Sequence, residues 1–112
     1  AGDYKLGLNE VAIGMTMPCF GVEIARARLD PAHFELSVSC AQLFVADGAV
    51  EAGYLDEAVD VDQLMSRSIA MAEQIAAIDM AAHKKNKARF RAPMLKALDE
   101  ARVTHAAPGG GL

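Results

Sequence analysis

Apolar and polar positions change period several times along this chain, and each change predicts an element. Tyr4-Lys5-Leu6-Gly7-Leu8 alternate, which predicts a short strand entering a turn. Asn9 to Met17 is apolar and interrupted by Gly14, the pattern of a strand or buried loop more than of a helix. Pro18 stands where a helix would start, since its fixed φ and missing N–H cost nothing in a first turn. Val22, Ile24, Ala25 and Leu29 carry that helix to Asp30-Pro31, because the residue before a proline avoids the α region. A second helix is predicted from Pro31 to about Leu43, with Phe34, Val38 and Ala41 on one face. Asp47 is placed to cap a brief helix through Val50 and Ala52, and Gly53 to stop it. Leu55 to Val59 reads as a short extended segment. Val61, Leu64, Met65, Ile69, Ala72, Ile75 and Ala76 recur at three- and four-residue intervals and predict an amphipathic helix. Asp79 is a cap for the next helix, which Pro93 is expected to break or restart, and Met94, Leu95, Leu98 and Ala101 carry the last apolar stripe. Ala106 to Leu112, with Pro108 and three glycines, reads as a disordered tail.

This pattern gives six or seven short elements, mostly helical, with two scraps of strand and neither a repeat nor a linker. Two isolated scraps do not make a stable sheet, so the chain reads as part of a larger fold. Its 112 residues suit one domain or a piece of one. The hydrophobic share of 53% overstates the core, because 22 residues are alanine and aromatics are only 5%; alanine at that density favours helix. A formal charge of −4 argues against a nucleic-acid surface. No stretch approaches the ~18 apolar residues of a membrane span. Ala1-Gly2-Asp3-Tyr4-Lys5 shows neither an initiator Met nor a signal layout, so a soluble, cytoplasmic protein is expected.

Few residues have the spacing of a reactive centre. Cys19 and Cys40 form no CxxC and are expected as free, partly buried thiols in a reducing compartment. His33, His83 and His105 are far apart with no HExxH, so no metal site is expected. Met65, Met71 and Met80 suit core or interface filling. Lys84, Lys85, Lys87, Arg89 and Arg91 form a basic cluster, read first as a solvated helix face. Asp47 to Asp62 holds six acids and no base; it is a second solvated face, or a surface complementary to the basic cluster of a neighbouring subunit. The segment with chemistry in it is Lys5 to Pro18. Glu10 is flanked there by Leu8, Val11, Ile13 and Met15, and Gly7 and Gly14 permit tight backbone approach. A carboxyl in apolar company is either paired or harder to ionise, and in the second case it exchanges protons near neutral pH. The residues alone leave open an exposed or salt-bridged Glu10 at a strand end.

The run Gly7-Leu8-Asn9-Glu10-Val11-Ala12-Ile13-Gly14, with Pro18 four residues on, resembles the crotonase superfamily of enoyl-CoA hydratases and isomerases. Farther on, Gln42 to Val59 resembles the family stretch that follows the acyl pocket, with Ala46, Ala49, Gly53, Leu55, Asp56, Ala58 and Val59 in the matching pattern. Ala82-His83 followed by Lys87 and Arg89 resembles the start of the family's C-terminal helices. The first two segments together are fairly specific; the third is weak alone. The resemblance covers residues 3 to 104.

It implies an α/β, crotonase-like (ClpP/crotonase) fold, of which this chain is the mostly helical C-terminal part with one or two short strands. On that reading residues 1–60 belong to the crotonase-like core, 61–105 form a helical oligomerisation region, and 106–112 are the tail. Glu10 falls on the family position that moves a proton at the α or γ carbon of an enoyl thioester. The Gly-Leu-Asn-Glu form is most similar to the Δ3,Δ2-enoyl-CoA isomerase branch; hydratases add a second glutamate upstream of this motif. The oxyanion hole, two backbone N–H groups on the thioester oxygen, also comes from upstream segments in the family. Val11, Gly14, Pro18 and Phe20 would line the substrate site, and Lys87 would meet phosphates of coenzyme A. Phe20 departs from the Gly-rich segment common in hydratases, which bears on acyl chain length. The implied substrate is an acyl-CoA, with no separate cofactor, no metal, no nucleic acid and no membrane, in a homo-oligomer built as a trimer or pair of trimers. The rival expectation is a catalytically inactive helical assembly fragment without an oxyanion hole.

Overall fold

The computed structural model of the chain describes residues 3–106. Its elements are β1 (Leu6–Gly7), a single 3-10 turn (Val11–Ile13), α1 (Cys19–Arg28), α2 (Pro31–Val38), β2 (Leu43–Phe44), α3 (Ala46–Glu51), α4 (Leu64–Ala76) and α5 (Met80–Ala106). The expected disordered tail otherwise falls on residues 107–112, which lie outside the described residues; Ala106 itself ends α5.

Local chemistry places most helix ends. Pro18 takes an extended conformation before the first turn of α1 (φ −59°, ψ 144°). The chain leaves α1 at Leu29, buried and extended, and Asp30 caps α2 by accepting the Ala32 N–H at 2.8 Å, with Pro31 in the first turn. Asp79 does the same for α5, its Oδ1 accepting the Ala82 N–H at 2.8 Å. The cap of α3 is Val45, without a side-chain bond, so Asp47 lies inside the first turn instead of capping it.

Two expectations fail for tertiary reasons. Helix α2 stops at Val38, short of Leu43, because Leu43 and Phe44 pair antiparallel with Gly7 and Leu6. A turn with Ala41 at φ 53°, where the Gln42 N–H donates to Leu36 C=O, makes the redirection. The two strands thus meet each other, and the second is not Leu55–Val59. Their approach needs Gly7: a Cβ there would lie 2.7 Å from Gln42 O. Likewise Pro93 neither breaks nor restarts α5. Beyond it Met94, Ala97, Leu98 and Ala101, at i, i+3, i+4 and i+7, are the shaded positions of a helix that packs along α1. Leu95, expected in that stripe, faces solvent.

The core is small. Phe44, Ala49 and Ala52 are buried, with Leu6, Tyr54 and Leu55 packed around them. His33 meets Phe44 edge-on at 5.9 Å and Tyr54 meets it from another side at 5.7 Å. Gly53 (φ 89°) joins this core to the α1–α2 corner, where the Asp30 N–H donates to Ala52 C=O and a Cβ on Gly53 would lie 2.9 Å from Arg28 O. Helix α4 begins at Leu64, later than Val61, has no buried residue and packs substantially on no other element among the described residues. Arg67 on α4 grips Glu57 through both carboxylate oxygens at 2.8 and 3.0 Å, which holds the guanidinium above its ordinary range. The whole is extended. Its radius of gyration is 16.9 Å, against about 13 Å for a compact chain of this length. Its accessible surface is 8405 Å², against about 6000 Å² for a globular monomer of this mass.

Candidate functional site

Glu10 heads the 3-10 turn with helical dihedrals (φ −53°, ψ −47°). Its carbonyl accepts two N–H groups, from Ile13 at 3.1 Å and Met15 at 2.8 Å, and Asn9 C=O accepts that of Ala12 at 3.0 Å. Gly14 closes the turn in the left-handed region (φ 75°, ψ 19°), its N–H donating to Val11 C=O at 3.2 Å. The Glu10 side chain is half-buried, and its Oε2 is shielded from solvent without a hydrogen-bond partner. A carboxylate oxygen in that state is costly, and such atoms in native proteins call for an explanation. The setting differs from the expected apolar pocket, because Val11, Ile13 and Met15 are themselves exposed, Ile13 by 63%.

The turn brings Glu10, Val11 and Gly14 together, and Pro18 and Phe20 follow at the head of α1. Phe20 is 46% exposed on the first turn of that helix. Lys87 belongs to a different element. It is exposed on α5, beside His83 and Arg91 along two shallow depressions. Gly14 has open space around it, so close backbone approach applies to Gly7 and not to Gly14.

Sequence reasoning missed the open cavity of about 710 Å³ lined by Tyr4, Leu6, Leu55, Val59, Val61 and Leu64 among others. Glu57 and Asp60 stand on its rim, and Glu10 does not line it. Alternation in Tyr4-Lys5-Leu6 and again near Leu55 was the available signal, but nothing in it says that the two stretches face each other. The acidic stretch is a solvated face, since all six of its acids are exposed, and two of them carry arginine partners. Asp56 pairs with Arg28 at 2.8 Å and Glu57 with Arg67, and neither arginine belongs to the basic cluster. Cys19 and Cys40 are free and both exposed, not partly buried as expected. His33 is half-buried against Phe44. Among the described residues no three His, Cys, Asp or Glu side chains are grouped to hold a metal ion. No described helix is long and apolar enough to cross a membrane.

No protein-family model and no curated protein matches the chain. Solved structures do. An enoyl-CoA hydratase/isomerase family protein from Pseudomonas syringae superposes with a TM-score of 0.90 and 45% identity over 94% of this chain. An enoyl-CoA hydratase from Mycobacterium ulcerans gives 0.83 and 35% over 90%. The chain belongs to the enoyl-CoA hydratase/isomerase family. A Mycobacterium tuberculosis member, solved once as an isomerase and once as a probable hydratase, gives a TM-score of 0.84 and 34% identity over 90% of the chain in the first of these. The chain spans under half the length of these crotonase-superfamily structures: 46%, 44% and 45% respectively. The correspondence is with a mostly helical C-terminal part of that fold.

Proposed function

We propose that the protein carrying this segment acts on enoyl-CoA thioesters by proton transfer through Glu10. The observation that carries the reading is the shielded, unpartnered Oε2 of Glu10 in the Gly-Leu-Asn-Glu turn of a crotonase-family chain. In double-bond migration the Glu10 carboxylate takes a proton from the α carbon of a 3-enoyl thioester. The electron pair moves onto the thioester oxygen as a dienolate, and the carboxyl returns the proton to the γ carbon. Backbone amides from outside this span would stabilise the oxyanion, typically the largest share of catalysis in such sites. Val11, Pro18 and Phe20 line the acyl side in this reading. Lys87 with Arg91 meets the phosphates of the coenzyme A carrier, and no further cofactor is invoked. Exposed thiols at Cys19 and Cys40 suit a reducing, cytoplasmic setting, and the uncovered helices suit a trimer or pair of trimers.

General acid–base groups typically contribute ~10²–10⁴-fold. Glu10→Gln in the complete protein should therefore lower turnover of a 3-enoyl-CoA by at least about 10²-fold, with KM little changed. Unchanged turnover removes Glu10 from the mechanism. A second reading, a helical assembly fragment without activity of its own, is favoured by α4, which has no buried residue and exposes Leu64, Met65, Ile69 and Ile75. Turnover of an enoyl-CoA by the isolated 112-residue chain would defeat it.

A further inference from the structure

We infer that Gly14 is the positioning residue that aims Glu10, an assignment that rests on the proton-transfer reading above. Two hydrogen bonds converge on the Glu10 carbonyl, and the shorter, from Met15 N–H at 2.8 Å, exists only because the chain reverses at Gly14. That reversal uses φ 75°, a conformation L side chains rarely adopt. Crowding is not the reason for glycine here: a Cβ at Gly14 would meet nothing within 4 Å. The requirement is purely conformational. A residue that prefers negative φ would unwind the turn, release the Met15 bond and let the Glu10 backbone drift. Misplacement of a reacting group by about 1 Å is enough to cost ~10²-fold in rate. This assignment replaces the substrate-lining role that the resemblance implies for Gly14: the residue acts on the reaction through the backbone of Glu10.

Two substitutions separate conformation from contact. Asn tolerates the left-handed region far better than Ala does. In the complete protein, Gly14→Ala is expected to lower kcat on a 3-enoyl-CoA by about 10-fold or more, with KM within about 2-fold and Tm lowered by only a few degrees. Gly14→Asn is expected to restore kcat to within about 3-fold of the parent. Equal damage by Ala and Asn, a rise in KM in place of the fall in kcat, or a Gly14→Ala protein that does not fold would each overturn the assignment. Glu10→Gln run alongside tells the two claims apart. If it lowers turnover by about 10²-fold or more while Gly14→Ala leaves kcat unchanged, positioning by Gly14 fails and the role of Glu10 stands. If it leaves turnover intact, the proton-transfer reading itself fails.

Discussion

Gly53 and Gly14 share a left-handed backbone but not their surroundings. A Cβ on Gly53 would lie 2.9 Å from Arg28 O and 3.2 Å from Asp30 N, both main-chain atoms with little room to give. Gly53→Ala should therefore combine dihedral strain with a backbone clash and destabilise the fold by about 2 kcal/mol or more. Thermal unfolding checks this, as a fall in Tm of several degrees. Unlike the situation at Gly14, Asn at position 53 should give no relief, because the clash starts at Cβ. At this scale the sequence was readable where the residue's own chemistry decides: Gly53 as a helix stop and Asp79 as a cap. Glu10 stood out through its motif and not through its neighbours, whose exposure no local pattern announced. Ala41 in the left-handed region had no signal at all, since nothing about alanine asks for it.

Elements whose ends are set locally follow the sequence closely, and those set by distant partners do not. Pro18 and Asp30-Pro31 bound α1 and α2, and the three- and four-residue spacing marks α4 and α5. Strand β2 was hidden because Leu43 and Phe44 also continue the apolar pattern of α2; only Leu6 and Gly7, far upstream, claim them as a strand. Helix α5 survives Pro93 for a similar reason. The missing N–H and the ring clash are expensive in isolation, but α5 packs along α1, and the turns beyond Pro93 shield Met94, Leu98 and Ala101 from solvent. The α5 start has no such support, since positions 80–82 are exposed. Its cap should matter accordingly. Asp79→Ala is expected to cost about 1 kcal/mol in chemical unfolding and to fray the first turn; no measurable change would mean that the Asp79 Oδ1 bond contributes nothing to α5.

For the molecule as a whole, roughly 2400 Å² of surface exceeds what a compact monomer would show. A standard interface takes only about 800 Å² from each partner. Leu64, Met65, Ile69 and Ile75 all stand out from α4. A surplus of this size fits a chain that spans under half of the structures it superposes on. The isolated chain should accordingly associate, and light scattering at rising concentration should give a mass well above 11.9 kDa. A monodisperse monomer would show that the α4 face needs no cover. The seat of α5 on α1 has a consequence for how the chain assembles. The other substantial contacts join β1, β2, α1, α2 and α3, all within the first half of the chain. Docking the last helix onto the first closes a loop of roughly sixty residues, whose entropic toll grows only with the logarithm of its length. During synthesis α1 therefore gains its cover from α5 only once α5 has emerged, and lengthening what lies between would weaken that contact very little.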